Sequence, residues 1–328
     1  VTALEAGSAA VQRRVGGWYQ RTTTRWCYVF LLPALVLTAM FTFYPMVMSW
    51  VYSTMDWAGF SNDMTFVGVG NYRELLGDHM FWSALGRSMI FVLVGTPLRV
   101  GLALVVAVIL NRQVMRLSVA FRTLFFLPVM ASASIIGVVM TFVLSPNNGP
   151  ANTLLVGTGL AGSPVEFLSD PKLAIWTALL VHTWKNFGIT MIYWLAALQT
   201  VPTEYYEAAR IDGAGWAGLV RYVTMPILLP FALIIIVLTA KENLQAFAII
   251  QAMTQGGPYF STQVMEIFIY RTAFAADEAG GVPRLGYASA AGCFFGTVTL
   301  LLALVQLWVA RRLAETRREL GRARGDAA

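Results

Sequence analysis

An all-α polytopic membrane protein with six transmembrane helices is the fold class this sequence predicts, and three observations carry it. Of its 328 residues, 57% are hydrophobic and only 12% are charged, a balance that an ordinary water-soluble globule does not have. Six apolar stretches are long enough for a bilayer core of about 30 Å, which takes about 20 helical residues. A short polar insert, residues 200–226, separates the fourth stretch from the fifth.

The first stretch runs from about Cys27 to Tyr52, after a basic tail of residues 1–26. No small-residue cleavage site follows it, so it reads as an uncleaved signal-anchor. The second runs from Ser88 to Leu110, the third from Thr123 to Leu144 and the fourth from Ala174 to Leu198. In the insert, Pro202 suits the first turn of a short helix reaching Ile211, because its missing N–H costs no bond there, and Glu204 and Glu207 sit near the positive helix end. Asp212-Gly213 then supplies a turn in which glycine takes positive φ, and Trp216 to Met225 leads back towards the membrane ahead of Pro226. The result is a helix-turn-helix lying along the membrane surface. The fifth stretch runs from Ile227 to Ala252 and the sixth from Tyr287 to Ala310, closing the six-span domain of residues 27–310. In the arginine-rich tail, 311–328, charges fall on every helical face, as suits a solvated or lipid-surface segment.

Short cytoplasmic loops accumulate Lys and Arg. Six spans put both termini on one side, and that side collects fifteen of the 23 basic residues. They lie in the two tails, in the loop after the second span (Arg112, Arg116, Arg122) and in the insert (Arg210, Arg221). Both termini and the insert are therefore expected in the cytoplasm. The net charge of +6 reads as topology, since the basic residues are dispersed along membrane boundaries, and not as nucleic-acid affinity.

Several chemistries are excluded. Cys27 and Cys293 are far apart, His79 and His182 are the sole histidines, and neither a disulfide framework nor a metal cluster is implied. None of the three lysines follows a glycine, so the chain has no phosphate-binding loop and is not its own ATPase. Paired carboxylates and a nucleophile with its base are also lacking, which argues against an enzyme.

Costly polar groups inside spans mark a transport path. On the fourth span, His182, Lys185, Asn186 and Ile189 recur at three- and four-residue spacing and share one helix face. On the fifth, Thr239, Lys241, Glu242, Asn243 and Gln245 cluster. The structural alternative is that Lys185 or Lys241 pairs with Glu242 to lock helices together. Lys241 and Glu242, being adjacent, point about 100° apart, so both do not line one path. Arg99, just after Gly95-Thr96-Pro97, reads as an interhelical or partner-subunit contact. Gly256-Gly257-Pro258 reads as a turn near an external gate.

The insert, Glu207-Ala208-Ala209-Arg210-Ile211-Asp212-Gly213-Ala214-Gly215 closed by Pro226, resembles the EAA loop of bacterial ABC-importer permeases. Further stretches match carbohydrate-type permeases in order: Phe66-Val67-Gly68-Val69-Gly70-Asn71-Tyr72, Phe81 to Leu85, Phe121 to Pro128, Gly149 and Asn152, Asp170-Pro171, Trp184, Leu198-Gln199, and Thr254-Gln255-Gly256-Gly257-Pro258. Val223-Thr224-Met225-Pro226 departs mildly from the family's Ile-x-Leu-Pro ending. The resemblance implies a coupling helix that docks on an ATPase through Tyr206, Glu207, Ala208, Ala209, Arg210, Asp212, Gly213 and Gly215. In maltose-type permeases, the positions aligned with His182, Lys185, Asn186, Ile189, Glu242, Asn243 and Ala246 contact sugar; Thr239 belongs to the same polar cluster. The chain itself would bind no cofactor, ATP and Mg being used by partner subunits. Its partners would be a second homologous permease, two ATP-binding subunits, an extracytoplasmic solute-binding protein and membrane lipid, in a bacterial plasma membrane. The expected solute is a di- or oligosaccharide. The embedded Lys185, Lys241 and His182 leave room for an anionic glycerol phosphate or phosphodiester, and the competing class is an ion-coupled secondary carrier titrating Glu242 and His182.

Overall fold

The computed structural model describes residues 26–59, 63–111, 117–274 and 282–325, with the side chains of 306 and 309–325 excepted. The basic N-terminal tail up to Arg25, together with Arg112 and Arg116, lies outside the described residues. Twelve helices follow in order among the described residues: α1 (Trp26–Tyr52), α2 (Gly70–Gly77), α3 (His79–Leu110), α4 (Ser118–Met130), α5 (Ala133–Val143), α6 (Pro150–Gly157), α7 (Pro171–Leu198), α8 (Thr203–Ile211), α9 (Trp216–Leu244), α10 (Phe247–Met253), α11 (Met265–Phe274) and α12 (Leu285–Gly325). A two-residue antiparallel pair, β1 (Met55–Asp56) and β2 (Thr65–Phe66), joins α1 to α2.

Among the described residues, four helices are long and apolar enough to cross a membrane: α1, α3, α9 and the Leu285–Val305 part of α12. The third expected span is not one straight helix. It is the pair α4 and α5, bent by 99° between Met130 and Ala133. The fourth is α7, 28 residues and so about 42 Å long, but it carries too many polar residues to be counted with the four. The fifth departs in two ways: α9 begins back at Trp216, and the helix breaks at Gln245-Ala246 before resuming as α10. Glu266 of α11 explains the break, since its Oε2 accepts the Phe247 backbone N–H at 2.7 Å and replaces the bond a continuing helix would make. The last helix continues well past Ala310, to Gly325.

Prolines shape the long helices in a recurrent way. Wide π turns occupy Ala39–Phe43, Phe91–Gly95 and Leu219–Thr224, and each is followed two residues later by a proline, Pro45, Pro97 or Pro226. A proline ring clashes with the carbonyl four residues back, and those carbonyls belong to Phe41, Leu93 and Tyr222, inside the wide turns. At Gly95-Thr96-Pro97 the result is a widened turn in an unbroken helix.

One end of the bundle is tied by polar side chains. Asn71 Nδ2 donates to the Ser53 and Met55 carbonyls at 2.9 and 2.8 Å, and Tyr72 Oη donates to Ser53 Oγ at 2.8 Å, which fastens α2 to the end of α1. Arg284 makes a bidentate pair with Glu74, both contacts 2.7 Å, and the guanidinium holds the Glu74 carboxyl below its ordinary range. Tyr287 Oη donates to Asp78 Oδ2 at 2.7 Å, and the same Asp78 caps α3 by accepting from Met80 N.

Besides a core of Leu75, Phe81, Met265 and Phe268 at the tied end, two apolar cores stack along the bundle. In one, Val100, Ala103, Ala107 and Leu110 of α3 pack on Met191, Trp194 and Leu198 of α7 and on Leu228 and Ile235 of α9. In the other, Phe91 meets Ile175, Ala178 and Leu179 of α7, Ile249 and Ile250 of α10, and Ala133 and Ile136 of α5. Gly188 permits backbone contact between α7 and α4, because a Cβ there would stand 2.3 Å from the Phe125 carbonyl oxygen.

Candidate functional site

Polar side chains gather where α3, α7 and α9 meet, at the junction of the two cores. Arg99 has no exposed surface, and its Nη2 donates to Glu242 Oε2 in a short ion pair. One turn away, Asn243 Nδ2 donates to Thr96 Oγ1 at 2.9 Å. Gly95 admits this contact, since a Cβ there would lie 3.2 Å from Asn243 Nδ2. On α7, buried His182 stacks edge-on to Phe91, with ring centroids 5.8 Å apart, and its carbonyl accepts from Asn186 Nδ2 at 3.0 Å. Lys185 Nζ reaches Asn186 Oδ1 at 3.5 Å. Arg99, Lys185, His182 and Glu242 are close enough to act on one another electrostatically.

The sequence-derived path residues are brought together, but not with equal access. Lys185, Asn186, Ile189 and Glu242 are half-buried and form the accessible edge; His182, Thr239, Asn243 and Ala246 are buried behind it. One expectation needs correction. The partner of Glu242 is neither Lys185 nor Lys241 but Arg99, whose interhelical role this establishes. Lys241, in the last turn of α9, is exposed and points away, as its 100° offset from Glu242 requires. Buried atoms without hydrogen-bond partners cluster at the same level: Arg99 Nε and Nη1, Thr239 Oγ1 and Asn243 Oδ1.

The insert folds as a separate station. Pro202 precedes α8 as its cap residue, one position earlier than expected, because its ψ of 141 is extended. Glu207, Ala208, Arg210, Asp212 and Gly215 are exposed, Ala209 is half-buried, and Gly213 turns the chain with φ +82. Tyr206 faces inward, its hydroxyl 3.0 Å from Thr224 Oγ1, which in turn donates to the Leu219 carbonyl across the wide turn that starts α9. The helix bearing Glu242 and Asn243 is thereby joined at its other end to α8, about 28 Å away for nineteen residues of rise. Thr224 was missed in the sequence reading, where it appeared only as a variable position ahead of Pro226. The glycine turn expected at 256–258 is present, with Gly256 at φ +85 and Thr262 Oγ1 bonded to the Gly257 carbonyl.

Residues 99–315 match the family model described as the binding-protein-dependent transport system inner membrane component. The chain is 32% identical over 281 residues to a probable ABC transporter permease, YurN of Bacillus subtilis, covering 85% of this chain and 94% of the relative. It is also 32% identical over 286 residues to the lactose transport system permease protein LacF of Rhizobium radiobacter, covering 87% and 93%. Among solved structures, a bacterial ABC transporter involved in import of the acidic polysaccharide alginate superposes with a TM-score of 0.75 at 25% identity, over 90% of this chain and 98% of that one.

Proposed function

From the premise that this chain belongs to the family of binding-protein-dependent transport system inner membrane components, we propose that it is the six-span permease subunit of an importer for a di- or oligosaccharide, driven by partner ATPases. One observation carries the reading: α9 touches the α8 insert at Thr224 and holds Glu242 and Asn243 at its far end. A push on α8 moves a rigid lever whose other end borders the polar cluster. Closure of two ATP-binding subunits on Glu207, Arg210 and their neighbours, with Gly213 setting the angle of α8, shifts the two stacked cores relative to each other and opens the cluster to the opposite side. A second homologous permease completes the path along the accessible edge of Lys185, Asn186, Ile189 and Glu242, and an extracytoplasmic binding protein delivers the solute. Both termini and α8 lie in the cytoplasm in this reading. The relatives' names support a carbohydrate, and the family match favours ATP over an ion gradient. The test is substitution of Glu207 and Gly213, with copurification of ATPase subunits and ATP-dependent uptake in vesicles as readouts. Collapse of uptake in an inserted protein supports the reading; uptake that persists without any ATPase overturns it.

A further inference from the structure

Lys185 is the fifteenth residue of the 28-residue α7, which places it near mid-length and about 20 Å from either end. A charge at that depth is retained only where it meets water, an opposite charge or a solute. Its one polar contact is Asn186 Oδ1 at 3.5 Å, and among the described residues no carboxylate lies within salt-bridge distance of it. The acid nearest in effect, Glu242, is already taken by Arg99. The cluster therefore holds two basic side chains against one carboxylate. The excess sits on the half-buried Lys185, at the accessible edge, whereas Arg99 is sealed away with Nε and Nη1 unpartnered.

A neutral sugar asks for donors and acceptors, which an amide at 185 would supply without a net charge. A lysine whose natural counterion is held by another residue is instead suited to a solute that brings its own negative charge. Resting on the importer reading above, we infer that the transported solute is an anionic sugar derivative, bearing a carboxylate or a phosphate, and that Lys185 reads that charge. Arg99 acts as a positioning residue, keeping Glu242 from neutralising Lys185.

The experiment uses the assembled transporter with its binding protein in vesicles, and three probes: trigalacturonate, glycerol 3-phosphate and lactose. Copurification of the ATPase subunits verifies assembly of each variant. ATP-dependent uptake of trigalacturonate assigns a carboxylate, and that of glycerol 3-phosphate a phosphate. K185Q is expected to lower kcat/KM for the anionic probe about tenfold, the effect of losing about 1.4 kcal/mol of charge contact, chiefly through KM. K185R is expected to restore most of it. A purely structural lysine would shift kcat and assembly and would not discriminate charge. Uptake of lactose alone, or an anionic probe carried equally by K185Q and wild type, overturns the inference and leaves the importer standing. Absence of ATPase copurification, with no probe carried in an ATP-dependent way, overturns the importer reading as well.

Discussion

Breaking the Arg99–Glu242 pair from its two ends is expected to have unequal costs. Arg99 has no exposed surface, while the Glu242 side chain is 34% exposed. In E242Q the guanidinium stays buried and loses its carboxylate, when Nε and Nη1 already have no acceptor. Breaking a buried pair costs about 3–5 kcal/mol, and the partial exposure of Glu242 puts this case at the low end, about 3 kcal/mol. In R99M the cation is gone, an apolar chain of similar length fills the space, and Glu242 hydrates at its open edge, so the cost is about 1 kcal/mol. The double variant R99M/E242Q leaves neither charge and is expected within about 1 kcal/mol of wild type. Reversible unfolding in mixed micelles, titrated with SDS and followed by far-UV circular dichroism, gives all four corners of the cycle. Equal losses in the two single variants, or a double variant whose loss equals their sum, would refute the argument that the buried cation dominates.

Tyr206→Phe keeps the ring and removes the hydroxyl at Thr224, so ATP hydrolysis should continue while uptake per ATP falls severalfold; simultaneous assays of phosphate release and uptake decide this. Gly188→Ala should cost about 2–3 kcal/mol, since its Cβ has only backbone to displace, whereas Gly86→Ala meets nothing within 4 Å and should be neutral or slightly stabilising; micelle unfolding compares them. Acid should dissolve the Glu74–Arg284 clamp. Because Arg284 depresses the Glu74 carboxyl in the folded protein, its contribution is fully present above the ordinary value of 4.5 and is lost as pH falls through the lower, folded value. Both side chains are about half exposed, so the contribution is under about 1 kcal/mol. The stability gap between wild type and R284Q, present at pH 7, should vanish at the acid end, as thermal unfolding at a series of pH values would show.

What the sequence could reveal was what its local pattern encodes. The extent of α8 and the turn at Gly213 follow from a proline, a run of helix formers and a glycine, all within a dozen residues. The face shared by His182, Lys185 and Asn186 follows from helical periodicity. The pairing of Glu242 with Arg99 did not, because the partners are 143 positions apart and nothing in either segment states which helix faces which. The break after Gln245 was equally hidden: Asn243-Leu244-Gln245-Ala246-Phe247 contains no proline or glycine, and its cause is the carboxylate of Glu266 on another helix. The bend between Met130 and Ala133 likewise has no glycine at its apex. The wide turns were half visible, since each proline announced a disturbance but not that the helix would absorb it.

That absorption has a consequence for which side of α3 does what. Ser88 packs towards α11, where its Oγ accepts from Met265 N at 2.9 Å. Arg99 comes eleven residues later, and eleven residues of regular helix are about three full turns, which would aim it at the same neighbour. The extra residue accommodated at Phe91–Gly95 rotates everything beyond it by about 100° and turns Arg99 towards Glu242 instead. The two halves of α3 are thus out of phase by one residue, and Pro97 sets that phase. A shortening of the 91–95 segment by a single residue would leave composition, hydropathy and length almost untouched, yet it would swing a guanidinium from a carboxylate into an apolar wall.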